Sequence, residues 1–351
     1  MLSRRTLLGA SALALPYVVS ARAAETLVVN DYGAEFQDIM MQTTIKPFEK
    51  KFGVKILYDS TGTATQNYAK IRASRGSPGF DVAAGMTPPE IILGAKEKLL
   101  VPITEKEVPN LKYLWPQATK AIPSTGVAEY FQYTSLLWND TKLPKPQSWN
   151  DYWNPGPVYG DKIKGHLIAF GPGNLLCIYA LIIAAKLKGG GLDNMAPAWD
   201  MLKAQRPWIG TTVVASDAAA PYFENNEVWL APYWSGRAGY YKAHNYPVNY
   251  TIPKEGTIGL AVCAAVPIGA SNRKLAFEFI NFVLDPEVQH NFCIAYHVSP
   301  ARRDLTGWPK EFVETQITTQ DKMNTVDFPD STVIGEKRGA WTLKWDEIMG
   351  R

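Results

Sequence analysis

The sequence predicts an α/β protein of two lobes, each a mostly parallel sheet flanked by helices, joined by hinge strands. Three observations predict it. The first hundred residues alternate strand and helix patterns three times. A second cycle of the same kind begins near residue 165. A late apolar strand, 259–267, then runs back toward the first lobe. Alternation of this type makes a parallel sheet with helices on both faces.

The elements of the first cycle read off in order. "TLVVNDYG", 26–33, is a short apolar strand ending in a turn. "AEFQDIMMQTTIKPFEKKFG", 34–53, has helical spacing, with Gly53 as its C-cap. "VKILYDSTG", 54–62, is a second strand running into a polar loop, and "TATQNYAKIRAS", 63–74, opens a helix. "GFDVAAGMTPPE", 79–90, is a third strand and loop, followed by the helix pattern "IILGAKEKLLVPI". In such sheets ligands sit beyond the carboxyl ends of the strands. That gathers Asp31, Tyr32, Thr61, Thr63, Met86 and Thr87 at one rim.

From 123 to 165 the pattern loosens around Pro123, Pro144, Pro146, Pro155 and Pro157. "GHLIAFGPGN", 165–174, starts the second cycle with a strand. "LLCIYALIIAAKL", 175–187, is too short to span a bilayer, which needs about 20 apolar residues, and reads as a buried helix. "TTVVAS", 211–216, and "VWLAPYW", 228–234, are strands. "NRKLAFEFINFVLDPEVQHNFC", 272–293, is a helix pair broken at Pro286. The expected division is 24–134 with 260–305 in lobe one, and 135–259 with 306–351 in lobe two. A chain that leaves one lobe, builds another and returns forms a hinge, and hinged lobes close over a solute.

The first 23 residues read as an export signal. Arg4 and Arg5 precede an apolar run from Leu7 to Val19, and Ala21-Arg22-Ala23 is a small-x-small cleavage site. Ser3-Arg4-Arg5-Thr6-Leu7-Leu8 also fits the twin-arginine pattern, with Leu7 and Gly9 departing from its commonest residues, so Tat and Sec export both stay open. Cleavage after Ala23 removes three arginines and no acid, taking the formal charge from +3 to 0. A neutral mature chain gives no electrostatic reason to bind nucleic acid or an anionic membrane. Cys177, Cys263 and Cys293 lie far apart with no Cys-x-x-Cys spacing. They fit small buried hydrophobes, with one disulfide pair left open.

The chemistry-bearing stretch is "APYWSGRAGYY", 231–241. Tyr233, Trp234, Arg237, Tyr240 and Tyr241, punctuated by two glycines, suit a pocket that grips a small molecule; the same residues make half of an ordinary amphipathic helix. No Gly-x-Ser-x-Gly elbow occurs, and the four histidines His166, His244, His290 and His297 read as surface or capping residues, so a secreted hydrolase is disfavoured. "KGGGLD", 188–193, follows a helix and lacks the lysine of a phosphate-binding loop. Tyr240-Tyr241 raises a ferric-ion carrier as an alternative, since paired tyrosinates are hard oxygen donors. Neighbouring helical residues point about 100° apart, which counts against a shared ion. No cofactor or metal is expected.

"YTIPKEGTIGLAVCAAVPIGASNRKLAFEFINFVLDPEVQHNFCIAYHVSPARRDL", 250–305, resembles the periplasmic spermidine/putrescine-binding proteins of ABC transporters. The likeness rests on Pro253–Gly256, Ala276–Phe282 and Asp285–Gln289, with "LPKPQSWNDYWNP", 143–155, and residues 53–71 also similar. It implies a monomeric type II binding protein, not an enzyme, that carries a small organic solute to membrane permease subunits. It implies further that Trp234, Tyr32 and Tyr296 form an aromatic box, with Tyr233 beside it. The Trp and the Asp that follow Pro-Lys-Glu-Gly in the family's polyamine site fall here on Leu260 and Val262, and its second acid pair falls on Asn174 and Cys177. An unpaired cation in a closed cleft costs several kcal/mol, and each aromatic face returns about 0.5–2 kcal/mol. Arg237 and Asp217 together suit a zwitterion, with Asn174 orienting the rest. The expected ligand is therefore amino-acid-like or opine-like in preference to a free polyamine; a choline-like cation also suits a neutral aromatic cage. The plain alternatives are a surface ion pair for Arg237, with Glu224 or Glu227, and interlobe core for Trp234.

Overall fold

The computed structural model describes residues 25–120 and 122–350. The expected export segment, 1–23, lies outside the described residues. Strand β1 (Thr26–Asn30) leads into helix α1 (Glu35–Met40), a π-helical stretch Met41–Ile45, and helix α2 (Lys46–Phe52). The single expected helix over 34–53 is thus continuous but widened at its middle. It ends as expected on Gly53, left-handed at φ 67°. Strand β2 (Lys55–Asp59), helix α3 (Ala64–Ala73), strand β3 (Val82–Met86) and helix α4 (Pro88–Lys96) complete the first cycle.

The loosened region holds an element the sequence did not predict, the 12-residue strand β4 (Val127–Trp138). Only Gln132 of it is even partly exposed. A strand buried on both faces has no polar–apolar alternation to betray it. The second cycle follows with strand β5 (Leu167–Phe170), helix α5 (Leu175–Leu187), helix α6 (Ala196–Gln205), strand β6 (Ile209–Val213), strand β7 (Leu230–Trp234) and helix α7 (Ser235–Ala243). Then come strand β8 (Asn249–Thr251), strand β9 (Thr257–Ala265), helices α8 (Arg273–Val283) and α9 (Pro286–Tyr296), the short strands β10 (Ser299–Pro300) and β11 (Val326–Asp327), and helix α10 (Ser331–Met349).

The main sheet path runs β2-β1-β3-β9-β4-β7-β5-β6, and β4 joins its two halves. Residues from Val127 to Tyr133 of β4 pair antiparallel with β9, while Thr134 to Trp138 pair antiparallel with β7. The strand changes partner between Tyr133 and Thr134, which sets the line where the lobes meet. The Thr257 hydroxyl donates to the Thr134 carbonyl at that line. Each lobe keeps parallel pairs elsewhere: β1 with β2 and β3, and β5 with β6 and β7. Helix α10 packs on α6 of the second lobe and on α4 of the first.

Helix α5 is buried nearly all round, and among the described residues no helix is long and apolar enough to cross a membrane. The three cysteines are buried free thiols, so no disulfide pair forms.

Candidate functional site

Two elements bring the site together, the start of α1 in lobe one and the start of α7 in lobe two. Ala34 precedes α1 at φ 55°, ψ −141°, a conformation that L side chains avoid. It turns the chain so that Glu35 opens the helix, and Glu35 ion-pairs with Arg237 of α7. The other side of the same guanidinium contacts Asp217 at 2.6 Å. Arg237 therefore ties a lobe-one carboxylate to a lobe-two carboxylate. The expected surface pairing with Glu224 or Glu227 is not the one formed.

Two glycines allow α7 to come this close. A Cβ on Gly239 would stand 2.4 Å from the His297 Cβ, and one on Gly236 would stand 2.8 Å from Val298 Cγ1. Small residues at 236 and 239 thus seat lobe two against the end of α9.

The aromatic rim is built around Phe36. Tyr32 and Tyr296 both meet its ring edge to face, at 5.3 Å and 4.9 Å between centroids. The Tyr32 hydroxyl donates to the Gly85 carbonyl at 2.5 Å. Burial pushes the Tyr296 phenol up to about 12, with nearby Arg237 opposing. Tyr32, Tyr296, Arg237 and Asp217 are thus joined in one cluster. Trp234 ends β7 one helical turn before Arg237; it is 8% exposed and meets Tyr179 edge-on at 5.8 Å.

The remaining expected residues are placed differently. Tyr233 faces away from Trp234, because successive strand residues point to opposite faces. It is buried among Phe170, Phe223 and Tyr241, and its hydroxyl donates to the Ser216 carbonyl at 2.6 Å. Met86 is fully buried opposite Cys263 in the ladder. The Thr87 hydroxyl bonds Glu90. Thr63 caps α3 in a reciprocal bond with Gln66, and Thr61 is exposed and held by Asp59 and Lys70. Asn174 caps α5 through Leu176 and donates to the Val214 carbonyl and the Ser216 hydroxyl. These polar side chains already have partners.

The expectation of an acid-poor site is overturned. Leu260, Val262, Asn174 and Cys177 bring no carboxylate, but Glu35 arrives from α1, and two further carboxyls lie under Tyr32. Asp31 is 1% exposed and Glu129 is 3% exposed. Burial raises Asp31 to about 8, against the pull of the Tyr32 amide. Burial, and then the charge of Asp31, raise Glu129, with the Gly85 amide opposing. Each of these acids stands at a turn or bulge beside apolar strand residues, so no spacing motif marks them.

The tandem tyrosines part company. Tyr241 bonds Tyr233 through its hydroxyl at 3.0 Å, while Tyr240 stacks on His244. Among the described residues no group of three or more His, Cys, Asp or Glu is arranged to hold a metal. A cavity of about 790 Å3 lies apart from the rim, between the end of α5 and the start of β9. Its Lys186 and Asp327 already pair with each other.

Comparison with known proteins adds the family context. Residues 43–316 match the family described as "Bacterial extracellular solute-binding protein". The putrescine-binding periplasmic protein PotF of Escherichia coli (strain K12) is 25% identical, over 97% of this chain and 98% of its own length. The gamma-aminobutyric acid-binding protein of Pseudomonas aeruginosa is also 25% identical, over 88% of this chain and 86% of its own. The solved structure of a putative extracellular solute-binding protein from Bordetella parapertussis superposes with a TM-score of 0.77 at 21% identity, covering 93% of this chain and 99% of that one; it shows the shared two-lobed fold.

Proposed function

Because this chain belongs to the bacterial extracellular solute-binding proteins, as the solute-binding component of an ABC importer of the polyamine family, we propose that its solute is a small zwitterion of the γ-amino-acid or opine type. Its relatives and fold are those of transport proteins, not enzymes. The observation that carries the ligand reading is Arg237, held between Glu35 and Asp217 at the aromatic rim.

A guanidinium offers a planar fork of donors that matches a carboxylate. A zwitterion entering this arrangement exchanges one ion pair for two: its carboxylate takes Arg237, and its ammonium takes Glu35 or Asp217. A polyamine has nothing to offer Arg237 and must displace a fixed cation from its partners. Tyr32, Tyr296 and Trp234 supply faces for the ligand's methylene chain and ammonium. Acid scarcity does not support this preference, since the rim has carboxylates; Arg237 supports it. That the curated relatives include both a putrescine binder and a gamma-aminobutyric acid binder fits a scaffold whose ligand is set by a few rim charges.

The reading extends to location. Residues 1–23 export the chain, and the mature protein works as a monomer in the periplasm, handing solute to the permease subunits. The test is a thermal-shift and calorimetric screen of the mature protein with γ-aminobutyrate, octopine, putrescine and spermidine. A ligand at 100 times its dissociation constant adds about 2.7 kcal/mol of stability. Shifts from the zwitterions support the reading. Shifts from putrescine or spermidine alone refute it.

A further inference from the structure

The two buried carboxyls under Tyr32 have a common hub. Gly85 sits in an irregular step of β3, between Ala83 and Met86, at φ +64°. A Cβ there would stand 2.7 Å from Asp31 Oδ1 and 3.0 Å from Tyr32 Cζ. The Gly85 amide faces Glu129, and its carbonyl takes the Tyr32 hydroxyl. Glu129 itself lies at the irregular step of β4, between Ala128 and Tyr130. One glycine therefore touches both acids and the ring above them.

The pair lacks the partners two buried anions need. Among the described residues, Asp31 Oδ1 accepts only the amide of its neighbour Tyr32, at 2.8 Å. Glu129 Oε1 is buried without a hydrogen-bond partner. The void they share with Phe36 and Phe292 measures about 10 Å3, about the volume of one water probe. No ligand enters it, so the pair acts on the rim through Tyr32. Among the described residues, the other titratable groups facing it offer no cation. Tyr58 comes from β2 and Tyr296 from α9; Tyr130 is the next residue on β4. Cys263 of β9 faces Glu129, and Glu90 of α4 faces both Cys263 and Tyr32. Arg237 stands beyond Tyr296. Two like charges so close and so dry do not both ionise.

We propose that Asp31 and Glu129 share one proton while the rim holds no cation, and release it to solvent when a ligand ammonium docks over Tyr32, making the pair a specificity determinant for the cationic end of the ligand. This rests on the reading that the rim takes an ammonium-bearing solute. The balance is simple: the carboxyl O–H breaks, the proton leaves to water, and the new anion faces the docked ammonium across the ring.

Two measurements test it. Without ligand, infrared difference spectra between pH 6 and pH 9.5 should show a protonated-carboxyl C=O band that is lost or shifted in Glu129→Gln and in Asp31→Asn. Absence of the band in the wild-type protein overturns the pair and leaves the ligand reading standing. With γ-aminobutyrate and, separately, putrescine as probes, calorimetry in two buffers of different protonation enthalpy reads the protons released. Release of up to one proton, with affinity rising up to about tenfold per pH unit between pH 6 and pH 8, supports the link; a pH-independent affinity refutes it. Glu129→Gln combined with Asp31→Asn, which leaves neither carboxyl to hold the proton, should abolish the release. If the band is present but neither probe binds, the ligand reading falls and the proton link falls with it.

Discussion

Glu35 of lobe one and Arg237 of lobe two are ion-paired across the line where the lobes meet, and Asp217 holds the guanidinium from the other side. The pair closes the molecule on itself with the same charges a zwitterion would use. Replacing Arg237 by Ala removes the fork and leaves Glu35 free. The affinity for γ-aminobutyrate should fall at least tenfold, since a charge-assisted hydrogen bond contributes about 1.5–3 kcal/mol. Putrescine binding should hold or improve, because the fixed cation is gone. Arg237→Lys should recover the charge but little of the affinity. Isothermal calorimetry on the three proteins reads this. Equal γ-aminobutyrate affinity in Arg237→Ala removes Arg237 from the site.

Helix α7 comes close to the end of α9 partly because residue 239 lacks a side chain. A Cβ there would lie 2.4 Å from the His297 Cβ and 2.8 Å from its Cγ. Gly239→Ala gains up to about 1 kcal/mol of helix propensity but overpacks a lobe contact at a cost of about 1–3 kcal/mol. Gly335 lies in α10 with nothing within 4 Å of its would-be Cβ. Gly335→Ala should therefore keep the propensity gain and raise the denaturation midpoint, while Gly239→Ala lowers it. Small-angle scattering should also show Gly239→Ala more open. A Gly239→Ala protein at least as stable as Gly335→Ala refutes this packing role.

The sequence carried the periodic elements and not the irregular ones. Helices α3, α8 and α9 and strands β1 and β7 have capping residues or apolar runs that fix them within a few positions. Strand β4 was missed because burial on both faces removes the alternation that marks a strand. The site divides the same way. Tyr32, Tyr296 and Arg237, candidates from a local cluster and a family likeness, lie in one cluster with Asp217, while Trp234 packs on Tyr179. Thr61, Thr63 and Asn174 look the same in sequence as pocket residues, yet they cap helices and bind a loop together, because Ser, Thr and Asn serve both uses. Glu35 and Glu129 went unnamed, and Asp31 was placed at the rim without a role, because their partners are distant in sequence: Arg237 for Glu35, and Gly85 for the other two. Only chain topology brings them together.

Ala34 holds φ 55°, ψ −141° directly before Glu35. A strained non-glycine residue costs about 1–3 kcal/mol, and glycine relieves it while adding up to about 1 kcal/mol of unfolded-state entropy. Ala34→Gly should therefore raise the calorimetric midpoint by a few degrees. A lower midpoint shows that the Ala34 methyl contributes packing that exceeds the strain. The strain also holds Glu35 at its angle to Arg237, so a more stable Ala34→Gly protein should bind γ-aminobutyrate no better than the parent.

Asp31 makes the stability of the protein depend on pH in a direction opposite to that of a salt-bridged acid. Its folded pKa stands near 8, above an ordinary 3.8. Between those values the folded chain holds a proton that the unfolded chain has lost, so ν for the unfolded state is the smaller and stability falls as pH rises. The stabilisation is complete below about pH 4, is lost progressively up to about pH 8, and changes no further above it. Asp31→Asn keeps the shape and removes the Asp31 titration, leaving Glu129 as the one buried carboxyl of the pair. The difference in unfolding free energy between the parent and Asp31→Asn, measured by urea denaturation from pH 4.5 to pH 9, should therefore drift against the parent up to pH 8 and then level. A difference that stays flat across that range, or drifts in the parent's favour, shows that Asp31 is ionised in the folded protein, and that a cation or hydrogen-bond donor holds it in that state.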